Sequence, residues 1–345
     1  MKGERKEERE MAKTPYEKGE VFLRSIGVMG ISLFILSQIF LAGAYGADFP
    51  SRSIQIINSF APGGPQDIIP RILSKRLSEV FNQAVVIVNK PAGGGVIALQ
   101  SVLGEKPDGH TILSAEQTPI ILPLITKNVS FGFKDFTPFS VAMKVPMNVI
   151  VKKDAPWQTL QQFVADARKQ PGDLTYSSGG PNAITRFAAE VFQIHTGTKI
   201  TQVPFVGGGG PAVTALLGGH VQITFVSPGL AKPHYEAGTI RILATMNPKR
   251  YKDFPDVPTA IEAGFPKLIV TTWNAYFVSA KTPPPIVRRL GEVFHEILKE
   301  KEIIAQIDKA GLEAENLNAQ EAQRFMAEEE QKWTEAVKAS GLMAR

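Results

Sequence analysis

The sequence predicts an α/β protein of two lobes, each a mostly parallel sheet with helices on both faces, joined by two hinge crossings. Three observations predict it. Short β-type runs alternate with helix-type segments along most of the chain. Two Pro-flanked strand patterns stand where the chain would pass between lobes. Four junctions repeat one plan, strand, then glycines, then helix, and such junctions aim backbone N–H groups and helix dipoles at one small space.

Taken in order, residues 1–47 read as a leader outside the fold. Residues 1–20 are charged, mixed in sign and without an apolar period. Lys18 and Arg24 then precede an apolar run from Ile26 to Leu41 and the small residues Ala42 to Ala47. That is the plan of a secretory signal peptide, cleaved after Ala44 or Ala47. At about 16 residues the run is short of the ~20 that a spanning helix needs, although an uncleaved anchor is the alternative. The expected location is therefore periplasmic or otherwise extracytoplasmic.

The remaining strand patterns are Ser53–Phe60, Ala84–Asn89, Thr111–Ala115, Asn148–Lys152, Leu174–Ser177, Ile200–Phe205, Val221–Ser227, Arg241–Met246 and Ala275–Val278. Helix patterns between them are Ile68–Phe81, Val96–Leu103, Leu160–Lys169, Ile184–His195, Pro211–Leu217 and Pro284–Lys299. Crossings fall at 141–156 and 271–285. They give one lobe from residues 48–145 plus 275–345 and a second from 146–274. A C-terminal helix, Glu321 to Lys338, is expected to pack on the first lobe with Phe325 and Trp333 as anchors.

Composition excludes several classes of function. The chain of 345 residues has no Cys, so disulfides, thiolate metal sites and a Cys nucleophile are out. Its net charge is +5, but basic residues alternate with acidic ones, as in Lys299-Glu300-Lys301-Glu302, which argues against nucleic acid as a partner. The five His are scattered with no metal-ligand spacing, and no G-x-S-x-G elbow is present. No catalytic residue, metal or cofactor is expected.

The first glycine junction, Ser59 to Asp67, centres the site. Pro62 fixes the turn, Gly63 and Gly64 admit positive φ and close approach, and Asp67 is placed to cap the helix from Ile68. A tight turn without ligand and an anion cradle are both compatible with that pattern. Lys90 to Gly95 repeats the plan, Ser177 to Asn182 adds hydroxyls and an amide, and Val206 to Pro211 repeats it again. Arg186 could meet an anion or pair with Glu190 four residues on.

These motifs together resemble one family. They are Phe49-Pro50-Ser51-Arg52, Phe60-Ala61-Pro62-Gly63-Gly64 with Asp67, Asn89 to Gly95, Pro107-Asp108-Gly109-His110-Thr111 and Tyr176-Ser177-Ser178-Gly179. Val203-Pro204-Phe205 with Gly207 to Pro211, Leu217-Gly218-Gly219-His220-Val221 and Asp256-Val257-Pro258-Thr259 continue the series in order. The family is the periplasmic solute receptors of tripartite tricarboxylate transporters, also called Bug-type receptors. The resemblance implies a periplasmic-binding-protein-like fold, a monomer that closes on a small carboxylate and hands it to the permease subunits of the transporter. A ligand sensor for signalling and an enzyme on an acidic substrate are the alternatives.

Carried onto matching positions, the resemblance implicates Phe60, Pro62, Gly63, Gly64 and Asp67, with Ser178, Gly180 and Asn182 opposite. It also places Gly207 and Gly208 along the cleft and Ser227 at the end of a second-lobe strand. Two departures bear on the ligand. Pro65-Gln66 stands where relatives carry a third Gly and a small hydroxyl residue, so Pro65 removes an N–H donor and Gln66 offers a side-chain amide in its place. Arg186 stands where relatives carry His.

Overall fold

The computed structural model describes residues 49–63, 65–127, 129–180, 183–205, 209–310, 312–339 and 341–344. The leader, Gly64, Asn182, Gly207 and Gly208 lie outside the described residues. The described residues from Pro50 onward form one compact unit.

The chain first runs β1 (Ile54–Asn58), α1 (Pro65–Phe81), β2 (Val85–Asn89), α2 (Val96–Gly104), β3 (Thr111–Ala115), α3 (Thr118–Ile125) and β4 (Phe136–Pro146). It continues with β5 (Asn148–Lys152), α4 (Leu160–Lys169), β6 (Thr175–Ser178), α5 (Ile184–Thr196), β7 (Thr201–Pro204), α6 (Gly209–Leu217), β8 (Ile223–Val226), α7 (Pro228–Glu236) and β9 (Ile240–Thr245). It ends with β10 (Thr271–Ser279), α8 (Pro284–Ile297), α9 (Lys301–Lys309), β11 (Ala314–Leu317) and α10 (Ala319–Ala339).

Two sheets result, ordered β11-β4-β10-β3-β1-β2 and β7-β6-β8-β5-β9. The two-lobed α/β plan is as expected, but each sheet is mixed rather than mostly parallel. β1 is parallel to β2 and β3, and β6 is parallel to β7 and β8, because helical crossovers join those strands. β10 is antiparallel to β3 and β4, and β5 is antiparallel to β8 and β9. These are the strands that enter a sheet from the other one, so no crossover helix dictates their direction.

The two passages between sheets, one residue after β4 and residues 246–270 after β9, are tied together. Met147 is the single residue between β4 and β5, and its N–H donates to the carbonyl of Val270, the residue before β10, at 2.9 Å. Met246 donates to the Met147 carbonyl at 2.8 Å, and Val270 donates to the Met246 carbonyl at 2.9 Å. Three segments thus meet in a ring of backbone bonds. β10 begins at Thr271, so residues 271–274 pair with β4 in the first sheet.

Strand alternation divides the core. In β5, Val149 and Val151 join the larger apolar cluster, while Ile150 joins a smaller one with Val213, Leu216 and Phe254. Opposite faces of one strand therefore feed separate cores, the two-sided burial of a sheet covered by helices. Local signals set the helix ends. Thr159 and Gln162 form a reciprocal capping box at α4, and Gly197 closes α5 in the left-handed conformation.

α10 packs against β4 and α3 as expected, and also against α5 beside the second sheet. The Trp333 ring meets Phe187 edge-on at 6.0 Å. Buried Glu329 fixes the helix by accepting the indole N–H groups of Trp273 and Trp333, each at 2.8 Å, while Lys332 takes its other oxygen.

Several elements escape the sequence patterns. β4, α3, α7, β11 and a separate α9 are all present. α3 reads Thr-Pro-Ile-Ile-Leu-Pro-Leu-Ile, an apolar run with two prolines and no helical period; its first proline falls at the second helical position, where a missing N–H costs nothing. α1 starts at Pro65, three residues before the expected Ile68, for the same reason. Asp67 is therefore inside the first turn rather than at the cap. Among the described residues no helix is long and apolar enough to cross a membrane, and no group of three or more His, Asp or Glu is placed to hold a metal.

Candidate functional site

A cavity of about 350 Å³ opens at the carboxyl ends of β1, β2 and β3, where the strand-to-helix loops of the first sheet collect. Ser59, Phe60 and Ala61 come from the loop after β1, and Pro91 and Gly94 from the loop after β2. Glu116, Gln117 and Thr118 follow β3, with Ile121 and Leu122 behind them on α3. The opposite wall is the start of α5, Ala183 to Thr185 with Phe187, and the start of α6 at Gly209.

Helix starts dominate this wall. Thr118, Ile184 and Gly209 are the first residues of α3, α5 and α6, and α2 begins two residues after Gly94. Each start presents the positive end of a dipole and first-turn backbone N–H groups, although in α3 Pro119 offers none and Ile120 and Ile121 already donate to the Gln117 carbonyl. Among the described residues, no Lys, Arg or His lines the cavity. The apolar side chains Phe60, Ile121, Leu122, Ile184 and Phe187 complete it. Such a space suits a small anion with an apolar body, held by backbone and hydroxyl donors rather than by a cation.

The first loop is braced from beneath. Asp67 is 2% exposed, and its carboxylate accepts from the Gly63 N–H at 2.9 Å, Arg71 Nε at 2.8 Å and Asn89 Nδ2 at 2.7 Å. Asn58 Nδ2 approaches at 3.5 Å. Burial alone would raise its pKa, but the bonds from Arg71, Asn89 and Gly63 outweigh it and hold the carboxyl at about 2. Gly63 sits at φ +94°, a conformation glycine adopts without steric cost, which lets its N–H turn back to Asp67. Asn89 also donates to the Phe60 carbonyl at 2.9 Å, so the same knot fixes a residue of the wall. Gly95, at φ +102°, packs where a Cβ would come within 3.3 Å of Ser59 and 3.5 Å of Thr118. Only glycine lets those two lining residues approach so closely.

Behind Glu116 lies a polar chain. Gln66 is buried, and its Nε2 donates to Glu116 and, at 3.4 Å, to the Trp273 carbonyl. Asn274 Nδ2 donates to Gln66 Oε1 at 2.9 Å and to Ser114 Oγ at 3.0 Å. The carbonyl acceptor and the amide donor together orient the Gln66 amide. Burial pushes the Glu116 carboxyl up to about 7, and bonds from Thr272 and Gln66 offset only part of that rise.

The structure places the sequence candidates unevenly. Phe60 is in the cavity wall. Pro62 and Gly63 form the exposed turn beside it, and Gln66 and Asp67 lie beneath it, supporting Glu116 and the turn. Ser178 is fully buried and accepts from Gln202 Nε2 at 2.7 Å, and Gly180 follows it at φ +125° in the loop before α5. Ser227 stands at the cap of α7, where its carbonyl accepts from the N–H of Leu230 and of Ala231. Arg186 Nε lies 3.8 Å from Glu190, and Arg186 is not among the lining residues.

Sequence reading missed Glu116, Gln117 and Thr118, because it searched for glycine junctions and this one has none. The usable signal was position: they directly follow the strand pattern Thr111–Ala115, and strand ends of this class carry ligands.

The sequence profile described as tripartite tricarboxylate transporter family receptor matches residues 69–342. Protein BugT of Bordetella pertussis is 29% identical over 324 residues, covering 92% of this chain and 98% of that protein. A TctC solute binding protein from Polaromonas, solved with no ligand, has a TM-score of 0.75 at 27% identity, over 84% of this chain and 99% of the other. A protein from R. palustris solved with adipate has a TM-score of 0.70 at 29% identity, over 85% of this chain and 99% of the other.

Proposed function

This chain belongs to the tripartite tricarboxylate transporter receptor family, and from that premise we propose that it is an exported receptor for one small carboxylate, which it passes to a membrane transporter. The observation that carries the reading is the cavity itself. Helices α3, α5 and α6 start in its wall, two lobes contribute to it, and no cation lines it among the described residues. Helix starts and small hydroxyl groups bind a carboxylate through donors already in place, which keeps the entropic cost of capture low.

In this reading the ligand's carboxylate rests against the loop at Phe60 and the start of α3. The start of α5 then closes over it, with Ser178 and Gly180 in the loop before it. Asn182, Gly207 and Gly208 remain among the proposed ligand-binding residues. Closure turns on Met147, Met246 and Val270, whose backbone ring ties together the segments that pass between the sheets. The lobes are then 48–146 with 271–345, and 147–270. Adipate in the R. palustris relative makes flexible dicarboxylates the first ligands to try. Export through the N-terminal leader, delivery to permease subunits, a monomeric state and the absence of turnover complete the proposal.

The test is a thermal-shift screen of the mature chain against mono-, di- and tricarboxylates and aromatic acids. A ligand at one hundred times its Kd stabilises the folded state by about 2.7 kcal/mol, a plain rise in Tm. The ligand recovered afterwards should be chemically unchanged. No shift across the whole panel would overturn the receptor reading, and consumption of the ligand would favour an enzyme.

A further inference from the structure

Glu116 is out of place in a receptor for a simple carboxylate. It lines the cavity beside the start of α3, so a bound anion would share a space of about 350 Å³ with a second carboxyl. Among the described residues Glu116 makes no ion pair, and no Lys, Arg or His shares the wall with it. Its partners there are neutral, the Thr272 hydroxyl and the amide of Gln66, and that amide is oriented by the Trp273 carbonyl and Asn274.

A structural purpose does not account for an acid at this position. If the side chain served only to receive the Thr272 hydroxyl and the Gln66 N–H, the two lone pairs of a neutral Gln oxygen would do so without placing charge in a low-dielectric wall. Burial already resists that charge, as the upward shift of its titration shows. What is missing from the wall is a cation, and the ligand can supply one.

Resting on the receptor reading above, we infer that the ligand carries a cationic nitrogen as well as a carboxylate, and that Glu116 receives the nitrogen. The carboxylate then lies at the starts of α3 and α5, and the ammonium donates to the carboxylate oxygens of Glu116. The apolar side chains Phe60, Ile121, Leu122 and Phe187 pack against the carbon skeleton between the two ends. Binding an ammonium removes both penalties together, the uncompensated charge of Glu116 and its repulsion of an anionic ligand. The class is an amino acid, either α-amino or with the amine at the far end of the chain.

Calorimetric titration with matched pairs tests this directly: glutarate against glutamate, 3-phenylpropionate against phenylalanine, and valerate against 5-aminovalerate. Wild-type protein should bind the amino member of at least one pair about tenfold or more tightly than its partner. Glu116→Gln should reduce that preference to about threefold or less, by weakening the amino member while leaving the other unchanged or tighter. If every plain acid binds wild type as well as its amino partner, the inference falls while the receptor reading stands. A preference that survives Glu116→Gln also overturns it. If no acid of either kind binds, the receptor reading falls with it. The wild-type comparison decides the class of ligand even if the variant does not fold.

Discussion

Asp67 and Glu116 follow neighbouring strands of one sheet, yet Asp67 collects a backbone amide, a guanidinium and a side-chain amide, while Glu116 takes only neutral donors, the Thr272 hydroxyl and the amide of Gln66. Asp67 is held at about 2 and Glu116 is pushed up to about 7. Burial raises the pKa of both; at Asp67 the donors, one of them a cation, outweigh it, and at Glu116 the neutral donors do not. The lesson concerns roles. A carboxylate whose oxygens are occupied by its own chain braces a loop, and one left with spare acceptor capacity in a cavity is available to a ligand.

The largest effect expected of this contrast is on stability. Asp67→Ala would strip Arg71, Asn89 and the Gly63 N–H of their common acceptor, and denaturant titration should show a loss of about 3 kcal/mol. A loss below about 1 kcal/mol would break the comparison, since Asp67 would then not be the brace.

Glu116→Gln should do the reverse. Without ligand at pH 8 the variant should be more stable than wild type by about 2 kcal/mol, less than the full shift implies because the cavity admits water. The sign follows from the direction of the shift. The folded-state pKa of Glu116 lies above its ordinary value of 4.5, so its contribution is fully present below 4.5 and is lost as pH rises through about 7. The advantage of the variant should therefore vanish near pH 4.5. Asp67 behaves oppositely. Its folded-state pKa lies below its ordinary 3.8, so its stabilisation is present above 3.8 and is lost as pH falls toward 2. Unfolding followed from pH 2 to pH 8 should resolve the two windows, and a wild-type curve flat between 4.5 and 7 would remove Glu116 from the argument.

The smallest effect sharpens the brace. Gly63 has φ +94° and nothing within 4 Å of where a Cβ would stand, so Gly63→Ala meets backbone strain alone. A cost of about 1 kcal/mol is expected, measured by denaturant unfolding, well under that of Asp67→Ala. Equal costs would mean that the turn itself, rather than its carboxylate, carries the loop.

Much of the Asp67 side of the site was legible because its contacts are local. Gly63 and Arg71 each lie four residues from Asp67, within the reach of turn and helix patterns. The helix starts three residues before the apolar pattern does, because Pro65, which has no N–H to lose, serves as its first residue. Glu116 was invisible for the opposite reason. Gln66, its partner, is 50 residues away in the chain, and Trp273, which orients that partner, is 207 residues from Gln66.

By itself the sequence determined the alternation of strands and helices, the two lobes and the glycine turns after the strands, because periodicity and turn chemistry act over a few residues. Only the tertiary structure decided which carboxyl is sealed and which faces the cavity. Desolvation and hydrogen-bond partners are set by elements that meet only once the sheets are assembled.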